Sequence, residues 1–123
     1  MQKEKKLIYL ICPIRNITLT EKEHLEGYVA FLEKCARKVH YPPRDVNQVD
    51  SVGLRILSEH RQAMKKADYI DCYFNPQSSG SSFDFGMAYQ LGKLPWHIIN
   101  NADIKEENLQ DFDRFIFANS LVT

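Results

Sequence analysis

Apolar positions along this chain follow two different rhythms. Leu7-Ile8-Tyr9-Leu10-Ile11-Cys12 is a continuous apolar run ended by Pro13, the pattern of a strand buried on both faces of a parallel sheet. Thr20-Glu21-Lys22-Glu23 has capping-box spacing, and behind it Leu25, Tyr28, Val29, Leu32, Cys35, Ala36 and Val39 recur at helical intervals, which predicts a helix over 20–38. Val39-His40-Tyr41 is a candidate short strand, stopped by Pro42-Pro43. Residues 42–50 read as a polar loop, with Asp50 or Ser51 to cap the next helix. In that helix Ile56, Leu57, His60, Ala63, Met64 and Ala67 form one stripe.

Asp68 to Phe74 reads as a third strand and Asn75 to Ser82 as a serine-rich loop with Pro76 and Gly80. Phe83 to Leu91 is predicted helical, closed by Gly92. Leu94 to Ile99 follows as a fourth strand, and Asp103 with Glu106 opens a final helix carrying Leu109, Phe112, Phe115 and Ile116. The order β-α-β-α-β-α-β-α implies an α/β, three-layer, doubly wound sheet of the flavodoxin or Rossmann kind, with about four to five mainly parallel strands. Ligands of such sheets sit beyond the carboxyl ends of the strands, where the strand order reverses. Two loops qualify, Pro13 to Asn16 and Asn75 to Ser82.

Composition narrows the class of partner. At 123 residues the chain suits a single domain over 1–123. Sixteen basic and sixteen acidic side chains cancel, so no global field gathers nucleic acid or an anionic membrane, and a small molecule held by local features is the expected partner. Cys12, Cys35 and Cys72 are isolated and odd in number, which argues against a disulfide framework and a zinc cluster. The apolar run after Lys3, Lys5 and Lys6 is too short for a signal-peptide core with its cleavage site or for a membrane span, so a cytoplasmic location is expected. No internal repeat or low-complexity segment stands out.

Several residues are candidates for chemistry. Ser78, Ser79, Gly80, Ser81 and Ser82 precede a helix and can close hydroxyls and backbone N–H groups around an oxyanion; equally, they can form a plain surface turn with a serine cap. Arg15 presents a planar fork of donors matched to phosphate, or is simply solvated. Asp84, expected in the first turn of the next helix, is favoured there by the helix dipole and can act as a nucleophile or as a stabiliser of an oxocarbenium-like centre; the same position also suits a helix-stabilising aspartate. His60, on an apolar stripe, is either an acid, base or donor facing a ligand, or a satisfied buried histidine. Tyr9 near the end of the first strand can aim its hydroxyl into the mouth of the sheet or serve as an ordinary strand residue. Phe74, Phe83 and Trp96 can stack on a base or pack in the core. His24, His40 and His97 share no metal-ligand spacing, so no metal site is expected.

Tyr9-Leu-Ile-Cys-Pro-Ile-Arg15, Ala67-Asp68 before a strand, and Gly80-Ser-Ser-Phe-Asp84-Phe-Gly86-Met-Ala88-Tyr-Gln-Leu-Gly92-Lys93-Leu-Pro95 together resemble the nucleoside 2-deoxyribosyltransferase superfamily. The most specific part is an acidic residue followed by x-G-x-A-x-x-L-G-K-x-P. The resemblance implies that Asp84 holds the place of the catalytic carboxylate, which attacks C1′ of the sugar or supports its positive charge as the glycosidic bond breaks. Ser78, six residues earlier, matches the serine that binds the 5′-phosphate in the 2′-deoxynucleoside 5′-phosphate N-hydrolase branch, where the transferases tend to carry aspartate. By the same resemblance Arg15 and Gly80 also hold the phosphate, with Ile14 in the phosphate loop, and Tyr9 lies beside the sugar and the carboxylate; Ser79 and Ser82 remain substrate-binding candidates from the serine-rich loop itself. The implied activity is cleavage or transfer of an N-glycosidic bond in a nucleoside 5′-monophosphate or a (deoxy)nucleoside, without a cofactor, in a homodimer or higher homo-oligomer.

The chain departs from that pattern at three points. Asp84 replaces the usual glutamate, a retraction on the order of 1 Å where near-attack geometry tolerates little displacement. His60 stands where the family has a second acid, so it becomes the candidate proton donor to the leaving base. Cys12-Pro13 replaces a glycine of the first phosphate loop and removes a backbone donor. The Asp84 and His60 departures favour the alternative of a nucleotide-binding module that kept the pocket and lost turnover. A flavodoxin-like receiver is disfavoured, because Cys12-Pro13 stands where its acidic cluster would be.

Overall fold

The computed structural model of the chain describes residues 6–14, 17–49, 53–75, 78–93 and 97–99, with Ser79, Gly80, Ser82 and His97 described by backbone alone. Arg15, Trp96 and the helix expected after Asp103 lie outside these residues. Strands β1 (Leu7–Ile11), β2 (Lys38–His40), β3 (Tyr69–Cys72) and β4 (His97–Ile98) form one parallel sheet in the order β2-β1-β3-β4. Helices α1 (Leu19–Lys34), α2 (Pro42–Asp45), α3 (Leu54–Lys66) and α4 (Ser79–Gln90) connect them. The chain leaves β1 for β2 on one side and returns to β3 on the other. The reversal therefore falls between β1 and β3, which is the doubly wound, flavodoxin-like arrangement.

The unbroken apolar run of β1 is explained by what covers it. Successive strand side chains point to opposite faces. Tyr9 and Ile11 join Met64 of α3, Ile70 and Cys72 of β3, and Phe85 and Ala88 of α4 in one core. Leu10 and Cys12 join Leu25 and Val29 of α1 with Val39 and Tyr41 in the other. Tyr9, Leu10, Ile11, Leu25, Met64 and Ile70 are each under 2 % exposed, and full burial of an aliphatic side chain of this size contributes about 1.5–3 kcal/mol. Both faces of β1 are thus covered, α1 on one side and α3 with α4 on the other.

Four details differ from the sequence reading. The capping box of α1 forms two residues upstream of Thr20, where Thr18 Oγ1 accepts from Glu21 N–H and Glu21 Oε1 accepts from Thr18 N–H, both at 3.1 Å. The same Thr-x-x-Glu spacing occurs at both places, and the earlier one extends the helix. The stretch 42–50, read as a loop, opens with the short helix α2. Pro42 suits a first helical position, where its missing N–H costs nothing, and Asp45 Oδ2 accepts from Tyr41 N–H at 2.8 Å. The residue that caps α3 is Gly53, in a left-handed conformation at φ 76° and without a side-chain cap; Asp50 and Ser51 lie outside the described residues. Finally, α4 begins at Ser79 rather than Phe83, because Ser78 Oγ caps it by accepting from Ser81 N–H at 3.2 Å.

Helices α1 and α4 close with the same turn. Gly92, at φ 72°, follows α4, and Lys93 N–H donates back to Ala88 C=O at 2.7 Å. Ala36 does the same work after α1 at φ 63°, with Arg37 N–H donating to Leu32 C=O at 3.1 Å. Lys93 has a second task. Its Nζ donates to Met64, Lys65 and Ala67 carbonyls at 3.0, 2.7 and 2.7 Å, so a cation from the end of α4 caps the end of α3, as the helix dipole favours.

Candidate active site

The two covered faces of the sheet bring one sequence-predicted trio together. Asp84 of α4 is 4 % exposed and His60 of α3 is 5 % exposed. Tyr9 of β1, fully buried, donates its hydroxyl to Asp84 Oδ2 at 3.1 Å. His60 Nδ1 lies 3.3 Å from Asp84 Oδ1. Both oxygens of one carboxylate are therefore engaged, one by a phenol and one by an imidazole. The trio sits where α3 and α4 cross β1, beside the β1–β3 switch.

The longer α4 changes the electrostatic account of Asp84. With the cap at Ser78, Asp84 falls in the second turn rather than the first, where the sequence placed it, and the dipole effect fades within the first turn. Its charge is instead supported by Tyr9 and His60. A carboxylate can only accept, so an ionised Asp84 selects the His60 tautomer or imidazolium that carries hydrogen on Nδ1. In the neutral ring Nε2 is then an acceptor, and it is buried without a partner among the described residues. Burial, then the Asp84 charge and the hydrogen bond to it, push the Tyr9 phenol far above its usual range, so Tyr9 remains a donor. Burial also pushes the Cys12 thiol up, and the Asp84 charge adds to the effect. Cys12 is therefore a protonated wall of the site and no nucleophile.

The phosphate contacts implied by resemblance are only partly within view. Ile14 is half-buried after β1, and Arg15 lies outside the described residues. Ser78 is the α4 cap, and the backbone of Ser79 and Gly80 forms the start of the helix, a place where N–H groups lack intrahelical partners. Ser82 is on the same first turn and a half. Of the candidate stackers, Phe74 is buried against Phe85, with ring centroids 6.4 Å apart, while Phe83 is half exposed. Ser81, a candidate from the serine run, is 2 % exposed with its Oγ lacking a partner among the described residues. Sequence reasoning missed one residue here. His40 stacks on Tyr9 with centroids 5.2 Å apart, and only the pairing of β2 with β1 reveals that contact. Among the described residues no group of three or more His, Cys, Asp or Glu is arranged to hold a metal ion, and no helix is long and apolar enough to cross a membrane.

No protein-family model matches the chain, and no curated protein matches it. Solved structures do. One of them, the CMP N-glycosidase BcmB of Clostridium botulinum, superposes with a TM-score of 0.67 at 20 % identity, covering 96 % of this chain and 85 % of that one. The likeness establishes a shared fold over nearly the whole chain, in agreement with the doubly wound sheet read from the strand order.

Proposed function

We propose that the protein hydrolyses the N-glycosidic bond of a nucleoside 5′-monophosphate. The observation that carries this reading is the buried Asp84 carboxylate, held by Tyr9 on one oxygen and His60 on the other, in a fold shared with an enzyme named for breaking such a bond in CMP. The resemblance of the segment from Gly80 to Pro95 to the nucleoside 2-deoxyribosyltransferase superfamily, with Ser78 at the phosphate-binding place, supports the same conclusion.

Each residue has a role in that chemistry. The cap of α4, with Ser78, Ser79, Gly80 and Ser82, binds the 5′-phosphate at a helix N-terminus, helped by Ile14 and Arg15 of the loop after β1. Asp84 faces the sugar. Its short side chain and two hydrogen bonds make it a poor attacking group, so it stabilises positive charge at C1′ as the bond to the base breaks. Water then adds to C1′, and the proton it sheds returns to His60, left neutral once it has protonated the base. Tyr9 orients the carboxylate, and His60, as imidazolium, gives a proton to the departing base.

Incubation with a panel of nucleosides and 5′-monophosphates, CMP first, followed by chromatography for free base, tests this reading. Release of base from one or more monophosphates in preference to the matching nucleoside is expected. A folded protein that binds monophosphates but frees no base from any of them overturns it and leaves the second reading, a nucleotide-binding module. The specific feature favouring that second reading is the aspartate standing where the resembling family has glutamate.

A further inference from the structure

His40 has no part in the chemistry above, yet it lies against the centre of the site. It is the in-register neighbour of Tyr9 across the β1–β2 ladder, and its ring lies nearly flat on the phenol, at 5.2 Å between centroids and 18° between planes. His60 meets the same phenol edge-on, at 6.1 Å and 71°. Tyr9 is therefore gripped on its face by one imidazole and met edge-on by the other, while its hydroxyl reaches Asp84. His40 Nε2 is buried and has no hydrogen-bond partner among the described residues. Burial also holds its ring below the ordinary histidine range, which keeps it neutral near pH 7. What position 40 offers Tyr9 is a flat aromatic surface. A phenolic hydrogen prefers the plane of its ring, so whatever fixes that plane also fixes the direction in which Tyr9 donates.

We propose that His40 is a positioning residue, which by stacking on Tyr9 sets the donor direction that holds the Asp84 carboxylate in its working orientation. The inference rests on the reading of Asp84 as the group that faces C1′. It also fits the surroundings of His40, whose ring borders a groove of about 480 Å³ with Asp45, Arg55, Glu59, Gln62 and Lys66 on its walls. The groove gives room for other side chains at position 40, so the position can be varied without breaching the core.

Two variants separate the aromatic face from mere bulk: His40→Phe keeps the stack, and His40→Gln keeps comparable length without it. On the monophosphate turned over fastest by the parent, His40→Gln is expected to lose kcat by on the order of ten- to a hundred-fold with KM near the parent's, since a small misplacement of a reacting group costs that much. His40→Phe is expected to recover most of the loss. Aromatic NMR of the same proteins, with the Tyr9 resonances assigned by Tyr9→Phe, reads the contact without turnover. Ring shielding of Tyr9 should persist in His40→Phe and vanish in His40→Gln. Loss of shielding with kcat intact, or a His40→Phe as impaired as His40→Gln, overturns the positioning role alone. A parent that frees no base while Tyr9 stays shielded overturns the catalytic reading and this role with it, leaving the stack as a packing contact.

Discussion

Each face of the sheet buries one aspartate against one tyrosine, and the two pairs are assembled in opposite senses. Under α3 and α4 the carboxylate, Asp84, comes from a helix and the phenol, Tyr9, from a strand, at 3.1 Å. Under α1 the carboxylate, Asp71, comes from β3 and the phenol, Tyr28, from the helix, at 2.5 Å. Burial is similar, 4 % exposed for Asp84 and 2 % for Asp71, and burial with the bonded carboxylate pushes both phenols far up. A buried carboxylate and its tyrosine therefore do not by themselves mark a reactive centre. What Asp84 adds is an imidazole on its other oxygen, His60 Nδ1 at 3.3 Å, at the point where the strand order reverses.

Removing one carboxylate at a time separates the two faces of the sheet. Asp84→Asn is expected to lower turnover of a monophosphate by on the order of 10³-fold, in line with the removal of one preorganised electrostatic group, and to lower stability by about 1–3 kcal/mol, the usual cost when a hydrogen bond to a buried charged group is disturbed. Asp71→Asn should carry a similar stability cost and leave turnover close to the parent's. Base release by chromatography and urea unfolding of both variants decide the matter. Loss of turnover in a stable Asp71→Asn protein would show that the division between the faces is wrong.

A smaller effect separates the faces by pH. Burial lowers the pKa of His40 in the folded chain below its ordinary value. For a base shifted in this direction the unfolded chain binds more protons, so the contribution is fully present above about pH 6.5 and is lost as pH falls through the folded value. Stability of the parent, followed by urea midpoint from pH 8 to pH 5, is expected to decline over that range, and His40→Phe should flatten the decline. Tyr28→Phe, on the α1 face, should leave its slope unchanged.

The smallest effect concerns the helices that carry Tyr28 and Asp84, which end in the same turn with different residues. Ala36 pays a left-handed backbone at φ 63° that Gly92 adopts freely at φ 72°. Ala36→Gly is expected to stabilise the chain by up to about 1 kcal/mol and Gly92→Ala to cost about as much or slightly more, seen as opposite shifts of Tm by a few degrees.

What the sequence revealed, and what it hid, follows from the range of the forces involved. Strand β1 was legible because burial on both faces leaves an unbroken apolar run, and His60 because its stripe on α3 is periodic. The turn at Gly92 was legible as local chemistry. The start of α4 was not, since a run of serines suits a loop and a first helical turn equally well. Helix α2 was hidden by reading Pro42 and Pro43 only as a stop. The contacts of His40 with Tyr9 and of Tyr28 with Asp71 depend on strand register and helix docking over long stretches of chain, and no local pattern encodes either.

The Lys93 ammonium bears on how a ligand could reach Asp84. It ties the end of α4 to three carbonyls at the end of α3, the two helices whose side chains meet at that carboxylate. Prising them apart would strip a cation of its ligands as well as separate apolar surfaces. Entry between these helices is therefore the stiff route.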